Sequence, residues 1–222
     1  MALRKAKAKK SEKKKPVSPG KSRLSKPKRN NASTAQHRPS QTHSDKQDFF
    51  IVGIGASAGG LKALHSFLSS APEQADFALV FVQHLSRDHK SRLPELLLSR
   101  EPGLAVMEID DGVHVHPGRL YLCPPGKEVR IRDGVFHTAK SPARHAHLPI
   151  DEFFESLAAD VGGRAIAVVL SGAGTDGARG IQAIRSAGGC VFVQEPGTAE
   201  FPGMPQAAIG TGAVDGVLPP ED

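Results

Sequence analysis

From residue 49 onward, apolar and polar positions follow one another in two distinct patterns. Short, almost continuous apolar runs are followed by segments whose apolar residues recur every three or four positions. Continuous runs are typical of strands buried on both faces, and the wider spacing is typical of amphipathic helices. The pattern predicts strands at residues 49–56, 77–84, 104–109, 165–172, 190–195 and 213–219, and helices at residues 60–72, 89–101, 149–162, 176–188 and 204–212.

Residues 112–137 have a third pattern, in which apolar and polar residues alternate between Pro-Gly and Asp-Gly turn signals. This predicts hairpin structure with one exposed face, and it makes His114 and His116 surface residues rather than metal ligands. Strands that alternate with helices imply right-handed crossovers. The chain is therefore expected to form an α/β fold: a doubly wound, mostly parallel sheet with helices on both faces and an inserted antiparallel β-hairpin.

Composition divides the chain at residue 48. Residues 1–47 contain 15 Lys/Arg, two acids and almost no large apolar residues, so this segment is predicted to be a disordered basic tail. Residues 48–222 contain 14 basic and 21 acidic residues and are predicted to form the globular domain. The tail could bind acidic surfaces non-specifically, but the acidic domain does not have the charge of a nucleic-acid binder.

The same composition bears on location. No apolar run reaches the roughly 18–20 residues that a membrane span needs, and the basic start lacks the apolar core of a secretory signal. The two cysteines, Cys123 and Cys190, cannot form a disulfide framework or a zinc site. A cytoplasmic location is expected.

The stretch "IVGIGASAGG" fits two chemical templates. Gly53, Gly55 and Ala58 match the G-x-G-x-x-A turn that holds dinucleotide phosphates, whereas Gly55, Ser57 and Gly59 match the G-x-S-x-G turn that presents a nucleophilic serine. A dinucleotide site requires an acid at the end of the second strand, and this chain has Gln83-His84 there. The sequence therefore favours the nucleophile.

Two further residues follow strand ends at the same edge of the predicted sheet. His84 ends the second strand and is the candidate general base, while Asp176 follows the strand at residues 165–172 and is the candidate orienting acid. The alternatives without a catalytic role are that His84 is a structural histidine and that Asp176 only caps the helix at 176–188. The agreement of three strand ends favours a Ser57–His84–Asp176 triad.

Four blocks in order, "IVGIGASAGG", "FVQHLS", "VVLSGAGTDG" and "FPGMPQAAI", resemble the chemotaxis receptor methylesterase family, CheB. The amino-acid sequences of these blocks are more similar to the methylesterase segment found in CheB/CheR fusion proteins than to that of the typical family member. The resemblance covers residues 49–220 and implies hydrolysis of γ-glutamyl methyl esters on chemoreceptors, often with deamidation of receptor glutamines. It also implies that Ser57 is the nucleophile, His84 the base and Asp176 the orienting acid.

This sequence departs from the family pattern in two places. The basic tail stands where family members have a phosphoacceptor receiver domain, so regulation by aspartyl phosphorylation within this chain is not expected. Ala173 stands where the family often has Met, which removes a pocket side chain but keeps a backbone N–H for the oxyanion. Ala58 is the second oxyanion candidate, and Met204 and Pro205 are candidates for the pocket wall.

No metal or cofactor is required for this chemistry. The expected partners are methylated cytoplasmic helices of chemoreceptors, with methyltransferase or sensor kinase partners as further candidates. Two alternatives stay open from sequence: a non-catalytic module that binds receptors or another partner, and a serine esterase whose substrate is not a chemoreceptor.

Overall fold

A parallel sheet of seven strands forms the centre of the part of the chain that the structure describes. The computed structural model describes residues 48–70, 72, 76–83, 105–141 and 147–222, all within one of the chain's two units, His43–Asp222. Numbered along the chain, the strands are β1 (Phe50–Ala56), β2 (Phe77–Gln83), β3 (Ala105–Glu108), β4 (Arg119–Leu122), β5 (Lys127–Arg132), β6 (Val135–Lys140), β7 (Ala165–Val169), β8 (Cys190–Gln194) and β9 (Gly216–Leu218). The sheet order is β3-β4-β2-β1-β7-β8-β9, and β5 and β6 form a separate antiparallel hairpin.

Helices lie on both faces of this sheet, as the sequence predicts. The first helix, α1 (Gly60–Ser69), packs on one face, where Leu64 and Leu68 join the same core cluster as Ile54. The opposite face carries α2 (Pro149–Val161), α3 (Ala178–Ser186) and α4 (Gly203–Gly210), with a 3₁₀ turn at Gly162–Arg164 after α2. The predicted doubly wound fold with an inserted hairpin is confirmed.

The two glycines inside β1 allow α2 to approach the sheet closely. A Cβ atom on Gly53 would lie 2.9 Å from Phe154 Cε1, and one on Gly55 would lie 2.4 Å from Ile150 Cγ2. Contacts this short require the absence of a side chain, so these glycines form a groove for the helix. They therefore serve packing, and the opening of the turn around Ser57 depends on the glycines that follow.

The sequence assigned too much of the chain to the hairpin. Residues 112–137 were expected to form hairpin structure, but Arg119–Leu122 is β4, a strand of the main sheet that pairs in parallel with both β2 and β3. Leu120, Tyr121 and Leu122 are all buried, which is the pattern of an interior parallel strand. The hairpin itself consists of β5 and β6, which begin at Lys127, 15 residues after the start of the expected region, and end at Lys140. The predicted helix at residues 89–101 and the predicted disordered tail lie outside the described residues.

The register aligns the carboxyl ends of three neighbouring strands. Gly55 pairs with Val82 of β2 on one side and with Val169 of β7 on the other, and Ala56 pairs with Gln83. The residues that follow these strands therefore leave the sheet at one edge, which is where parallel α/β sheets bind ligands. Among the described helices, none has the length and apolar character that crossing a membrane requires.

Candidate active site

Ser57 lies at the turn between β1 and α1, and its backbone is held from three sides. Its N–H donates to Ser171 O at 3.0 Å, and its carbonyl accepts from Gly60 N at 3.0 Å and from Gln83 Nε2 at 3.3 Å. Gly59, with φ of 72°, forms the left-handed position that lets α1 start directly after the turn. Ser57 itself is partly exposed. The turn is therefore rigid at the backbone while the serine remains accessible.

Ser171 is a structural centre that sequence reasoning missed. It is 1 % exposed, and its Oγ donates to Ala58 O at 2.9 Å and accepts from Phe201 N at 3.0 Å. Its backbone N–H donates to Oε1 of the buried Gln194 at 2.8 Å. One hydroxyl thus joins the Ser57 turn to the loop before α4. The signal in the sequence was a lone polar residue directly after the continuous apolar run at residues 165–170.

Gly172 brings Ser57 and Met204 to the same place. A Cβ atom on Gly172 would lie 3.0 Å from Ser57 Cβ and 2.1 Å from Met204 Sδ. Met204 is 1 % exposed, and its N–H donates to Gly172 O at 2.8 Å. The structure therefore brings the predicted pocket residue Met204 beside Ser57. Pro205 follows it in α4 and is also buried.

The two oxyanion candidates lie on the loops that flank Ser57. Ala58 is partly exposed and Ala173 is exposed. In the hydrogen-bond network of the described residues, neither backbone N–H donates to another protein group. Such N–H groups near a serine can stabilise an oxyanion, because they need no rearrangement to meet the developing charge.

Asp176 is buried at 3 % exposure and anchors a helix other than the one it precedes. Its Oδ1 accepts from Asp151 N at 3.0 Å and its Oδ2 accepts from Ile150 N at 3.3 Å, both in the first turn of α2. The expected alternative, a cap on its own helix, is wrong: α3 begins at Ala178, and its N-cap residue is Gly177, with no side-chain cap. A carboxylate at a helix N-terminus is stabilised by the free N–H groups and the helix dipole.

Asp151 is the other buried carboxyl group of this region. It is 1 % exposed, and its Oδ1 accepts from Gly180 N at 2.7 Å. Burial raises the pKa of Asp151 above its ordinary value, and this effect exceeds the opposing influence of the Gly180 N–H and of Arg179. The sequence contained no signal for this residue beyond its position in the first turn of a predicted helix.

The remaining member of the predicted triad, His84, lies outside the described residues. The last described residue before it is Gln83, the end of β2, which pairs with Ala56. The predicted acid, Asp176, lies in the turn between β7 and α3, and β7 is the neighbour of β1 in the sheet. Ile150 Cγ2 lies 2.4 Å from a Cβ built on Gly55 and 3.0 Å from one built on Gly177. A single side chain therefore separates the end of the Ser57 strand from the Asp176 turn.

Within the described ranges, one group offers three metal-ligand atoms close together: Glu128, His147 and Glu152, with one atom from each within 4.8 Å of the others. His147 Nδ1 is 3.1 Å from Glu128 Oε1 and 3.7 Å from Glu152 Oε1, and Arg130 also pairs with Glu152 at 2.9 Å. These pairings between hairpin and helix account for the closeness of the group. His114 and His116 are both exposed, as expected, and belong to no such group.

Comparison with known proteins agrees with the fold described above. Residues 52–222 match the family model described as CheB methylesterase. The crystal structure of the Thermotoga maritima CheB methylesterase catalytic domain superposes with a TM-score of 0.70 at 29 % identity, covering 78 % of this chain and 94 % of that one.

Two sequence relatives differ in how much of their own length is matched. A Xanthomonas oryzae protein named protein-glutamate methylesterase/protein-glutamine glutaminase 2 is 38 % identical over 174 residues, which is 76 % of this chain and 48 % of the relative. An uncharacterised 104.1 kDa protein of Rhodobacter capsulatus is 41 % identical over 122 residues, which is 13 % of its length. This chain thus spans about half the length of the curated methylesterases it matches.

Proposed function

Because this chain belongs to the CheB methylesterase family, we propose that it is a serine hydrolase that removes methyl esters from glutamate side chains of chemoreceptors. Relatives carry the name protein-glutamine glutaminase as well, so deamidation of receptor glutamines is included as a second reaction at the same site. The substrate is then the methylated cytoplasmic helices of a receptor, and the enzyme acts in the cytoplasm.

Three residues carry the proposed chemistry. Ser57 is the nucleophile, His84 is the general base, and Asp176 fixes the imidazole tautomer and stabilises the imidazolium. Ala58 and Ala173 supply backbone N–H groups to the oxyanion, and Met204 and Pro205 form part of the pocket wall. This set needs neither metal nor cofactor.

The reaction proceeds in two halves. Ser57 Oγ attacks the ester carbonyl carbon while His84 takes the hydroxyl proton, and the tetrahedral oxyanion is stabilised by the backbone N–H groups. The bond from carbon to the methoxy oxygen then breaks, and methanol leaves with the proton from His84. Water, deprotonated by His84, attacks the acyl-enzyme, which releases the glutamate carboxylate and restores Ser57.

The observation that supports this proposal most is the position of Ser57. Its backbone N–H donates to Ser171 O, its carbonyl accepts from Gly60 and Gln83, and Gly172 lets Met204 pack close to it. The side chain of Ser57 nevertheless stays partly exposed, as a nucleophile that must meet its substrate requires. The family match assigns the same segment to a methylesterase domain.

The decisive experiment measures methanol release from methylated receptor cytoplasmic fragments by wild type and by Ser57→Ala. Removing the nucleophile should lower kcat by roughly four to six orders of magnitude while the fold stays intact. Ser69→Ala is the matched control, because Ser69 is an exposed serine of α1 whose Oγ donates to Ser66 O within the same helix. Near-normal turnover by Ser57→Ala would refute the assignment.

The same assay separates the alternatives. Turnover of small esters such as p-nitrophenyl acetate without methanol release from receptor fragments would identify an esterase with another substrate. Binding of receptor fragments without turnover of either substrate would identify a non-catalytic module. Association with methyltransferases or sensor kinases, and contacts of the basic tail with acidic surfaces, are further candidates for the chain's partners.

A further inference from the structure

Two helices exchange carboxylates at their N-termini. Asp176, which precedes α3, accepts hydrogen bonds from Ile150 N and Asp151 N in α2, and Asp151 of α2 accepts from Gly180 N in α3. Neither helix has a side-chain cap from its own N-cap residue, Leu148 or Gly177. Each helix start therefore obtains its acceptor from the other.

The exchange closes a ring that includes Asp176. Asp151 N–H binds the Asp176 carboxylate at 3.0 Å, Asp151 Oδ1 binds Gly180 N–H at 2.7 Å, and the chain from residue 176 to 180 completes the circuit. Both carboxyl groups are buried, Asp151 at 1 % and Asp176 at 3 % exposure. Such a ring restricts Asp176 from both its side chain and its backbone.

The helices must be close for this ring to form, and Gly180 makes that approach possible. A Cβ atom at position 180 would lie 2.6 Å from Phe154 Cβ and 3.0 Å from Asp151 Cα. Ile150 packs against Gly177 from the same helix turn, at 3.0 Å from its Cβ position. The contact between the helices is therefore built around the residues that hold Asp176.

We propose that Asp151 is a positioning residue for the esterase reaction, which fixes the Asp176 carboxylate through this closed ring of hydrogen bonds. The proposal rests on the function proposed above, in which Asp176 orients the general base. Asp151 touches no substrate and acts only through Asp176. Its carboxyl oxygen matters as an acceptor for Gly180 N–H, so the position of the acceptor, and not its charge, is what the reaction requires.

Three variants of Asp151 test this with the full chain. Asp151→Ala removes the acceptor and should lower kcat by about 10- to 100-fold with KM within about twofold, because misplacing a catalytic group by 1 Å has an effect of that size. Asp151→Asn keeps an acceptor oxygen in place and should retain kcat within about threefold of wild type. Asp151→Glu keeps the charge but displaces the acceptor, and it should lose kcat as the alanine variant does.

A matched control separates positioning from loss of stability. Asp160, in the last turns of the same helix, accepts from the N–H groups of Asp133 and Gly134 in the hairpin turn, away from Asp176. Asp160→Ala should lower the melting temperature while kcat stays within twofold of wild type. If Asp151→Ala does not fold, the glutamate variant carries the test. Wild-type kcat in a folded Asp151→Ala or Asp151→Glu protein, or an asparagine variant as impaired as alanine, overturns the proposal.

A second measurement is independent of the substrate. Amide hydrogen exchange of Ile150, Asp151 and Gly180 reports whether Asp176 stays anchored. In the Asp151→Ala protein the amides of residues 150 and 180 should both lose protection, because the ring opens as a unit. If only Gly180 loses protection, Asp176 is held without Asp151 and the proposal is wrong. If the wild-type protein has no esterase activity, but residues 150 and 180 still lose protection together in Asp151→Ala, the proposed function is refuted while the ring of hydrogen bonds is supported.

Discussion

The residues around Ser57 include the candidates for the proposed reaction and others that hold the turn in place. Ser171 and Gly172 belong to the second group. The Ser171 hydroxyl joins the end of β7 to Ala58 and Phe201, and the missing side chain of Gly172 lets Met204 pack close to Ser57. Sequence made Ser57, Met204 and Asp176 candidates for the site, because each follows a recognisable pattern. It gave no candidate role to Ser171 or Asp151, because a buried hydrogen bond depends on which distant backbone groups arrive beside it.

The two thiols should differ sharply in reactivity. Burial, with a further contribution from the nearby Glu108 carboxylate, raises the pKa of Cys123 to about 12, whereas Cys190 is exposed at the start of β8. Because of this raised pKa, Cys123 is almost fully protonated at pH 8. Only the thiolate reacts with disulfide reagents, so Cys123 should react slowly. One equivalent of thiol should therefore react quickly with DTNB in the native protein, and a second only after unfolding.

Cys190→Ser provides the check on that result. This variant should have no fast thiol, and the slow one should accelerate only as the pH approaches 12 or denaturant is added. Two fast equivalents in the wild type would contradict the raised pKa of the partly buried Cys123.

At the scale of elements, sequence predicted most of the helices and strands but misassigned β4. The turn signals on either side of "RLYL" are those of a hairpin, and a four-residue segment is too short for periodicity to distinguish an edge from an interior strand. Its place between β2 and β3 depends on long-range pairing. The same limit applies to the glycines of β1, whose role depends on the helix that packs against them.

The packing role of the β1 glycines can be tested by adding one methyl group at Gly55. Gly55→Ala should destabilise the protein by about 1–3 kcal/mol, because the new Cβ would lie 2.4 Å from Ile150 Cγ2 and push α2 away from the sheet. Urea unfolding measures the change. Gly197→Ala is the control, since a Cβ there meets no atom within 4 Å, and it should leave the free energy of unfolding the same or slightly higher.

Equal unfolding midpoints for the two variants would show that α2 can move without penalty. In that case the groove interpretation of Gly53 and Gly55 would be wrong. A selective loss at Gly55 should also lower esterase activity, since Ile150 supplies one of the two N–H groups that bind Asp176.

Across the whole molecule, charge is distributed unevenly along the chain. Residues 1–47 carry 15 basic and two acidic side chains, whereas residues 48–222 carry 14 basic and 21 acidic ones. Overall pI therefore describes neither part well. The family match and the candidate site both lie in the acidic part, so the chemistry and the basic charge belong to different stretches of sequence.

This separation predicts how the protein binds anionic surfaces. The full chain should be retained on heparin at low ionic strength and elute as salt rises, because multiple basic side chains release counterions on binding. A chain that starts at residue 48, with a net charge of about −7, should pass through the same column and bind an anion exchanger instead. Equal retention of the two forms on heparin would show that the basic segment does not govern the interaction.

The exchanged carboxylates of α2 and α3 also constrain how this domain can change over evolution. Asp151 and Asp176 are 25 positions apart, yet each satisfies the start of the other's helix. A substitution that removes the acceptor oxygen at either site leaves backbone N–H groups of the opposite helix unsatisfied, so the two positions are constrained together. A chimera that takes one of these helices from a distant relative would have to take both.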